Sequence, residues 1–191
     1  MVQIDKIYTR AGDGGKTRLS TGEPVDKWSL RVEAYGAVDE TNSFIGVARQ
    51  HTLNDEKMDR ILGRIQNDLF DLGADLATPE GDKPLPFEAL RIQAVQVTRL
   101  EQEIDDLNAK LTPLTSFVLP GGSACAAALH VARAVSRRAE RLIAHLAATE
   151  GERVSPAALQ YANRLSDLLF VAARYATDTG DVLWVPGANR T

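Results

Sequence analysis

The sequence predicts an all-α protein, a five-helix up-and-down bundle preceded by a Gly-rich N-terminal loop. Apolar residues recur at steps of three and four in five separate segments, and the breaks between them carry Pro, Gly or Thr. Nowhere do strand-like and helix-like segments alternate, which excludes a Rossmann or other α/β nucleotide fold. At 191 residues, 44% hydrophobic and 25% charged, the chain is expected to form one domain, 1–191. Its expected parts are an N-terminal loop (1–30), a helical bundle (31–178) and a C-terminal tail (179–191).

Composition also excludes function classes. A net charge of −4 argues against a general nucleic-acid binder. The single cysteine, Cys125, excludes an internal disulfide and fits a reducing, cytoplasmic setting. No run approaches the ~20 apolar residues of a membrane span, and the N-terminus has no signal-peptide h-region.

Residues Ile7 to Gly22 form a Gly-rich, hydroxyl-rich, basic loop without helical or strand period. Gly15-Lys16-Thr17 imitates the end of a P-loop, but Arg10 stands where that motif needs its first Gly. What remains is a flexible segment whose Thr9, Lys16, Thr17, Arg18 and Ser20 suit phosphate oxygens. The first helix lies within Arg31 to Gln50, with Val38, Thr41, Ile45 and Ala48 inward and Asp39, Glu40 and Asn42 as a polar cluster. A second runs from Asp55 to Ala77, its Met58, Ile61, Leu62, Ile65, Leu69, Leu72 and Leu76 stepping as a heptad. The third is expected from about Phe87 to Ala109, with Leu90, Ala94, Val97, Leu100, Ile104 and Leu107 inward.

The fourth helix is the centre of the chain. Phe117-Val118-Leu119 leads into the turn Pro120-Gly121-Gly122, and Ser123 follows as an N-cap. Ala128, Ala132, Val135, Ala139, Leu142 and Leu146 mark its expected buried stripe. Arg133, Arg137 and Arg141, spaced i, i+4, i+8, project from one face with Arg138 and Glu140 beside them. Like charges at that spacing disfavour an isolated helix by roughly 0.2–0.5 kcal/mol per pair. Glu140 is expected to offset part of this against Arg137, and the face reads either as a solvated basic surface or as an anion site. The fifth helix follows Ser155-Pro156, with Leu159, Ala162, Leu165, Leu169 and Ala172 or Ala173 inward and Asn163, Arg164 and Asp167 adjoining. Trp184 and Pro186 in the tail are expected to pack down.

No protein-borne metal cage or nucleophile is expected. His51, His130 and His145 lack a Glu three residues before them, which a di-iron bundle requires. No Ser or Cys comes with a credible His partner, and Cys125 reads as a small packing residue. Any reactive group must therefore come from a bound substrate or cofactor.

Five stretches, IYTRAGDGGKTRLSTGE, RVEAYGAVDETNSFIG, IQNDLFDLGADLATP, FVLPGGSACAAALHVARAVSRRAER and YANRLSDLLFVAARYA, resemble the trimeric ATP:corrinoid adenosyltransferases of the propanediol-utilisation type. That family includes the human mitochondrial cobalamin adenosyltransferase. The resemblance implies a homotrimer that moves the 5′-deoxyadenosyl group of ATP to the cobalt of cob(I)alamin and releases triphosphate. Mg2+ would accompany ATP, a flavin-type reductase would supply the electron, and an adenosylcobalamin-dependent mutase or dehydratase would receive the product.

Carried over by motif, Thr9, Arg10, Ala11, Gly12, Thr17, Arg18 and Lys27 would hold the nucleotide. Arg137, Arg138, Ala139, Glu140 and Arg141 would line the ATP site from the adjacent subunit, with Asn163 nearby. Asp39 and Arg133 match a pair that bridges subunits, and Phe117 matches the aromatic beneath the corrin, where it keeps the lower ligand off cobalt. Departures are Ala11, where the family commonly has Thr, and Thr41, where it has Leu. The residues alone also fit a catalytically silent ATP-binding sensor or scaffold, or a polyanion-binding bundle. Phe117 discriminates, because a pure ATP binder has no use for it.

Overall fold

The computed structural model describes residues 7–52, 54–81 and 84–190. Five helices occupy Leu30–Arg49 (α1), Glu56–Leu76 (α2), Ala94–Asn108 (α3), Ala124–Ala148 (α4) and Pro156–Tyr175 (α5). Three of these starts, those of α2, α4 and α5, have a side-chain cap. The Asp55 carboxylate accepts from Met58 N–H at 2.9 Å, Ser123 Oγ from Ala126 N–H at 3.1 Å and Ser155 Oγ from Ala158 N–H at 3.2 Å. These bonds satisfy helix-end donors that have no intrahelical partner.

α1 lies between α2 and α4, and α5 packs against α4, α3 and α2. Arg138 of α4 pairs with Glu40 of α1, while Cys125 at the start of α4 sits 3.8 Å from the Ala48 carbonyl at the end of α1, so the two run antiparallel. Every apolar residue expected inward on α1 and α2 is buried. On α4 Ala132, Ala139 and Leu146 are buried as expected, and Cys125, Leu129, Ser136 and Ile143 complete the seam. Ala128, Val135 and Leu142 are only half-buried, and α5 likewise buries Ala158 and Tyr161 ahead of Leu159. α5 is enclosed by three neighbours and so buries residues around most of its circumference.

Two expectations are corrected. The segment from Phe87 to Gln93 is not helical, and α3 begins at Ala94 with Ala94 and Leu90 exposed. Tertiary bonds hold this segment extended. Ile92 N–H donates to Asp75 Oδ2 at 2.9 Å, and Arg91 donates to Asp75 Oδ1 at 2.7 Å and to the Thr78 carbonyl at 2.6 Å. Ile92 and Gln96 are buried in place of Leu90 and Ala94. The N-terminal loop, in turn, contains a hairpin. Lys16–Arg18 (β1) pairs antiparallel with Pro24–Asp26 (β2), and Lys16 meets Asp26 at 2.6 Å.

Asp75, 3% exposed, accepts from Arg91, Ile92 and Ser155 Oγ, and so ties α2 to the entries of α3 and α5. Asp75→Ala leaves the buried Ile92 N–H without its acceptor and takes the carboxylate from Arg91, which keeps the Thr78 carbonyl, at an expected cost of about 2 kcal/mol. Urea unfolding would show this as a lower midpoint at unchanged slope. A variant within 0.5 kcal/mol of the parent, roughly the range of neutral surface changes, contradicts the assignment.

Candidate functional site

The site-forming part of α4 starts from the turn before it. Gly122 has φ +94°, and a Cβ there would stand 2.5 Å from Thr177 Oγ1, so only glycine lets the chain turn this tightly against the end of α5. The turn swings Phe117 outward, where it is 77% exposed. The tail returns beside it: Trp184 N–H donates to the Phe117 carbonyl at 2.7 Å, and Leu119 N–H donates to the Val182 carbonyl at 2.8 Å. The Phe117 and Trp184 rings lie 6.0 Å apart, tilted by 55°. Trp184 thus meets Phe117 but stays 44% exposed, and Pro186, expected to pack down with it, is exposed. Together with Leu114, Val118, Phe170 and Arg133, these two rings line an open cleft of about 670 Å³.

Arg133 connects this cleft to the arginine face. Its Nε is buried without a hydrogen-bond partner. Burial, and then the neighbouring Arg137 charge, hold its guanidinium below its usual pKa. An unpaired, partly desolvated cation is costly and is stabilised by an incoming anion. Arg137 and Arg141 extend the face as exposed side chains, and Arg141 donates to the Arg137 carbonyl at 3.0 Å. The Arg137 guanidinium has no hydrogen-bond or ion-pair partner among the described residues.

Other residues of the face are engaged differently. Arg138 pairs with Glu40 of the same chain. Ala139, expected to line the nucleotide site, is 4% exposed, so its methyl belongs to the core. Glu140 does not meet Arg137; its Oε1 accepts from Asn163 Nδ2 at 2.7 Å. Asp39 is exposed on α1, and no bond among the described residues joins its carboxylate to Arg133 within one chain.

The N-terminal loop has a definite shape. Arg10 takes a positive φ of 62°, Asp13 N–H donates to the Arg10 carbonyl at 3.3 Å, and Gly15 N–H donates to Gly12 at 3.2 Å. A Cβ on Gly12 would lie 2.9 Å from Lys27 Nζ, so the absent side chain lets that ammonium settle over the loop. Thr9 Oγ1 accepts from Ala11 N–H at 3.4 Å, while Arg18 donates to the Gly22 carbonyl at 2.7 Å. Ser20 fixes the hairpin to the end of α2, its N–H and Oγ both donating to the Ala77 carbonyl at 3.1 and 2.6 Å. Thr9, Arg10, Ala11, Gly12, Thr17, Arg18 and Lys27 thus form one basic, exposed unit. No bond among the described residues links it to the arginine face of the same chain.

Sequence reasoning missed Phe170 as part of the cleft and gave Trp184 no role there. Both are brought to Phe117 by long-range packing that leaves no local pattern. His130 is 5% exposed with an unpartnered Nδ1; burial, then the Arg133 charge, lower its pKa, and Asp181 opposes the shift. Burial, then the Asp55 charge, raise the pKa of the Cys125 thiol, which suits packing. Among the described residues no group of three or more His, Cys, Asp or Glu is placed to hold a metal. No helix among them is long and apolar enough to cross a membrane.

Residues 7–176 match the family model described as cobalamin adenosyltransferase. The chain is 48% identical over 188 residues to the corrinoid adenosyltransferase of Mycobacterium leprae, covering 97% of this chain and 98% of that protein. It is 45% identical over 174 residues to that of Bacillus subtilis, covering 88% and 85%. A variant of the PduO-type ATP:corrinoid adenosyltransferase from Lactobacillus reuteri, solved with cobalamin and ATP, superposes with a TM-score of 0.85 at 39% identity, covering 95% of this chain and 97% of that one. With an open aromatic cleft running into an arginine-rich helix face, and a family match over residues 7–176, this chain belongs to the cobalamin adenosyltransferase family.

Proposed function

We propose that the protein transfers the 5′-deoxyadenosyl group of ATP to the cobalt of cob(I)alamin, giving adenosylcobalamin and triphosphate. The observation that carries this reading is the junction at Arg133, where the cleft beside Phe117 meets the arginine face. Cobalt(I) in the substrate is itself the nucleophile, so no general base is needed. It attacks C5′, a cobalt–carbon bond forms, and the C5′–O bond breaks with its electron pair leaving on triphosphate. The protein's work is to align C5′ with cobalt and to neutralise the departing charge.

In this reading Arg137 and Arg141 stabilise the leaving triphosphate, and Glu140 and Asn163 orient the nucleotide. The loop residues Thr9, Arg10, Ala11, Gly12, Thr17, Arg18 and Lys27 wrap its phosphates from the neighbouring subunit of a homotrimer, consistent with their separation from the arginine face of their own chain. Arg138 contributes through its pairing with Glu40. Phe117 sits under the corrin and excludes a lower axial ligand, easing reduction of the cobalt(II) form. Mg2+ fits as a companion of the phosphates, since it keeps several waters and needs only one or two protein oxygens. The proposed setting is the cytoplasm, with a flavin-type reductase upstream and an adenosylcobalamin-dependent mutase or dehydratase downstream.

The test is anaerobic incubation of the protein with Mg2+, ATP and chemically reduced cob(I)alamin. A light-sensitive product with the absorbance of a cobalt–carbon bond is expected. ATP binding without that product would instead favour the silent sensor.

Asp39 and Arg133, unpaired within one chain, are proposed to pair across the subunit boundary. Asp39→Ala, Arg133→Ala and the double variant should then be non-additive in kcat/KM, with a coupling of about 1–3 kcal/mol. Additive losses contradict the pair.

A further inference from the structure

α5 carries Asn163 and Arg164 side by side, and adjacent helical positions point about 100° apart. Asn163 reaches α4, donating from Nδ2 to Glu140 Oε1 at 2.7 Å, while Arg164 reaches α3, donating from Nε to Glu101 Oε1 at 2.8 Å. The guanidinium also turns back, its NH1 donating to Asn163 Oδ1 at 2.5 Å. Glu101, Arg164, Asn163 and Glu140 therefore form one chain of hydrogen bonds from α3 through α5 to the arginine face.

We infer that Arg164, held by Glu101, is a positioning residue of the nucleotide site that acts through Asn163 on Glu140. The inference rests on the proposed nucleotide-binding role of Glu140, Asn163 and Arg137. An asparagine amide presents oxygen from one end and N–H from the other, and nothing in its shape chooses between them. A guanidinium has donors only, so it fixes the amide oxygen toward itself and leaves the NH2 for Glu140.

That orientation matters because of Arg137, three residues before Glu140 on the same helix. A carboxylate at that spacing is a natural partner for the guanidinium. Tethered to Asn163, Glu140 leaves Arg137 without a partner among the described residues, so its charge stays available to an anion. Released, the carboxylate can swing onto Arg137 and neutralise part of the charge the triphosphate needs. The relay keeps an acid beside the arginine ladder without letting the two cancel. Arg164 and Glu101 are each more than a third exposed, so their pairing adds little stability of its own.

Arg164→Met keeps an unbranched apolar stem and removes the donors. Calorimetric titration with Mg2+–ATP should show affinity weakened about tenfold, the loss expected for one charge-assisted hydrogen bond. Corrinoid affinity and melting temperature should stay unchanged, and Arg164→Lys, which retains a donor, should recover part of the loss. In an Asn163→Ala background Arg164→Met should have no further effect, because the link it acts through is gone. Unchanged ATP affinity in Arg164→Met, or its full loss repeated in the Asn163→Ala background, overturns the relay alone. A parent protein that binds no ATP overturns the nucleotide site itself, and the relay with it.

Discussion

Arg137→Ala should lower kcat/KM for ATP by about 10²–10³-fold while leaving the protein folded, the scale expected for removing one preorganised donor to developing charge. The side chain is exposed and unpaired among the described residues, so its removal should change stability by no more than about 0.5 kcal/mol. The effect should fall on kcat as well as KM. Negative charge on the bridging oxygen grows as the C5′–O bond breaks, and a guanidinium aimed at it contributes more in the transition state than in the bound substrate. Steady-state kinetics with varied ATP, beside thermal unfolding, separates the two. Near-parental turnover would remove Arg137 from the reaction; lost turnover with a lowered melting temperature would make its role structural.

Phe117→Ala should divide the reaction by oxidation state. With chemically reduced cob(I)alamin the cobalt already has its nucleophilic electron pair, and the loss should be modest. Starting from cob(II)alamin, the variant admits a lower ligand that stabilises the oxidised metal. The added barrier is expected to be about 3 kcal/mol, roughly a hundredfold in rate. The geometry supports this division: Phe117 is 77% exposed, lies against the Trp184 ring and opens onto the cleft, so its bulk contributes little to the core. Equal losses from both oxidation states would refute ligand exclusion and leave Phe117 as a packing surface.

How far the sequence discloses this architecture depends on whether each cause is local. α1 and α2 are legible because their heptads leave one row of positions apolar. The seam of α4 is legible at Ala132, Ala139 and Leu146, but Leu129, Ser136 and Ile143 are buried instead of Ala128, Val135 and Leu142, because small and apolar residues fill both rows. The start of α3 is illegible: Phe87 to Gln93 has no strong breaker, and it stays extended because Asp75, buried on another helix, takes up its Ile92 N–H. The hairpin is hidden for a similar reason, since Ser20 anchors it to the end of α2 far along the chain.

In the site, the i, i+4, i+8 arginines announce a cationic face from spacing alone. The assignment of individual residues to nucleotide or corrin came from the resemblance. Neither source foresaw that Glu140 turns to Asn163, that Arg138 is engaged by Glu40, or that Trp184 returns to Phe117. Those contacts are set by packing between elements distant in sequence.

In the proposed reaction the carbon of ATP, and not its phosphorus, is attacked. Incubating the protein anaerobically with cob(I)alamin, Mg2+ and ATP carrying 13C at C5′, and reading carbon and phosphorus NMR together, tests it directly. The expected result is the labelled carbon bonded to cobalt and one intact triphosphate released per adenosyl transferred. Labelled ADP or AMP, with the corrinoid unalkylated, would contradict it.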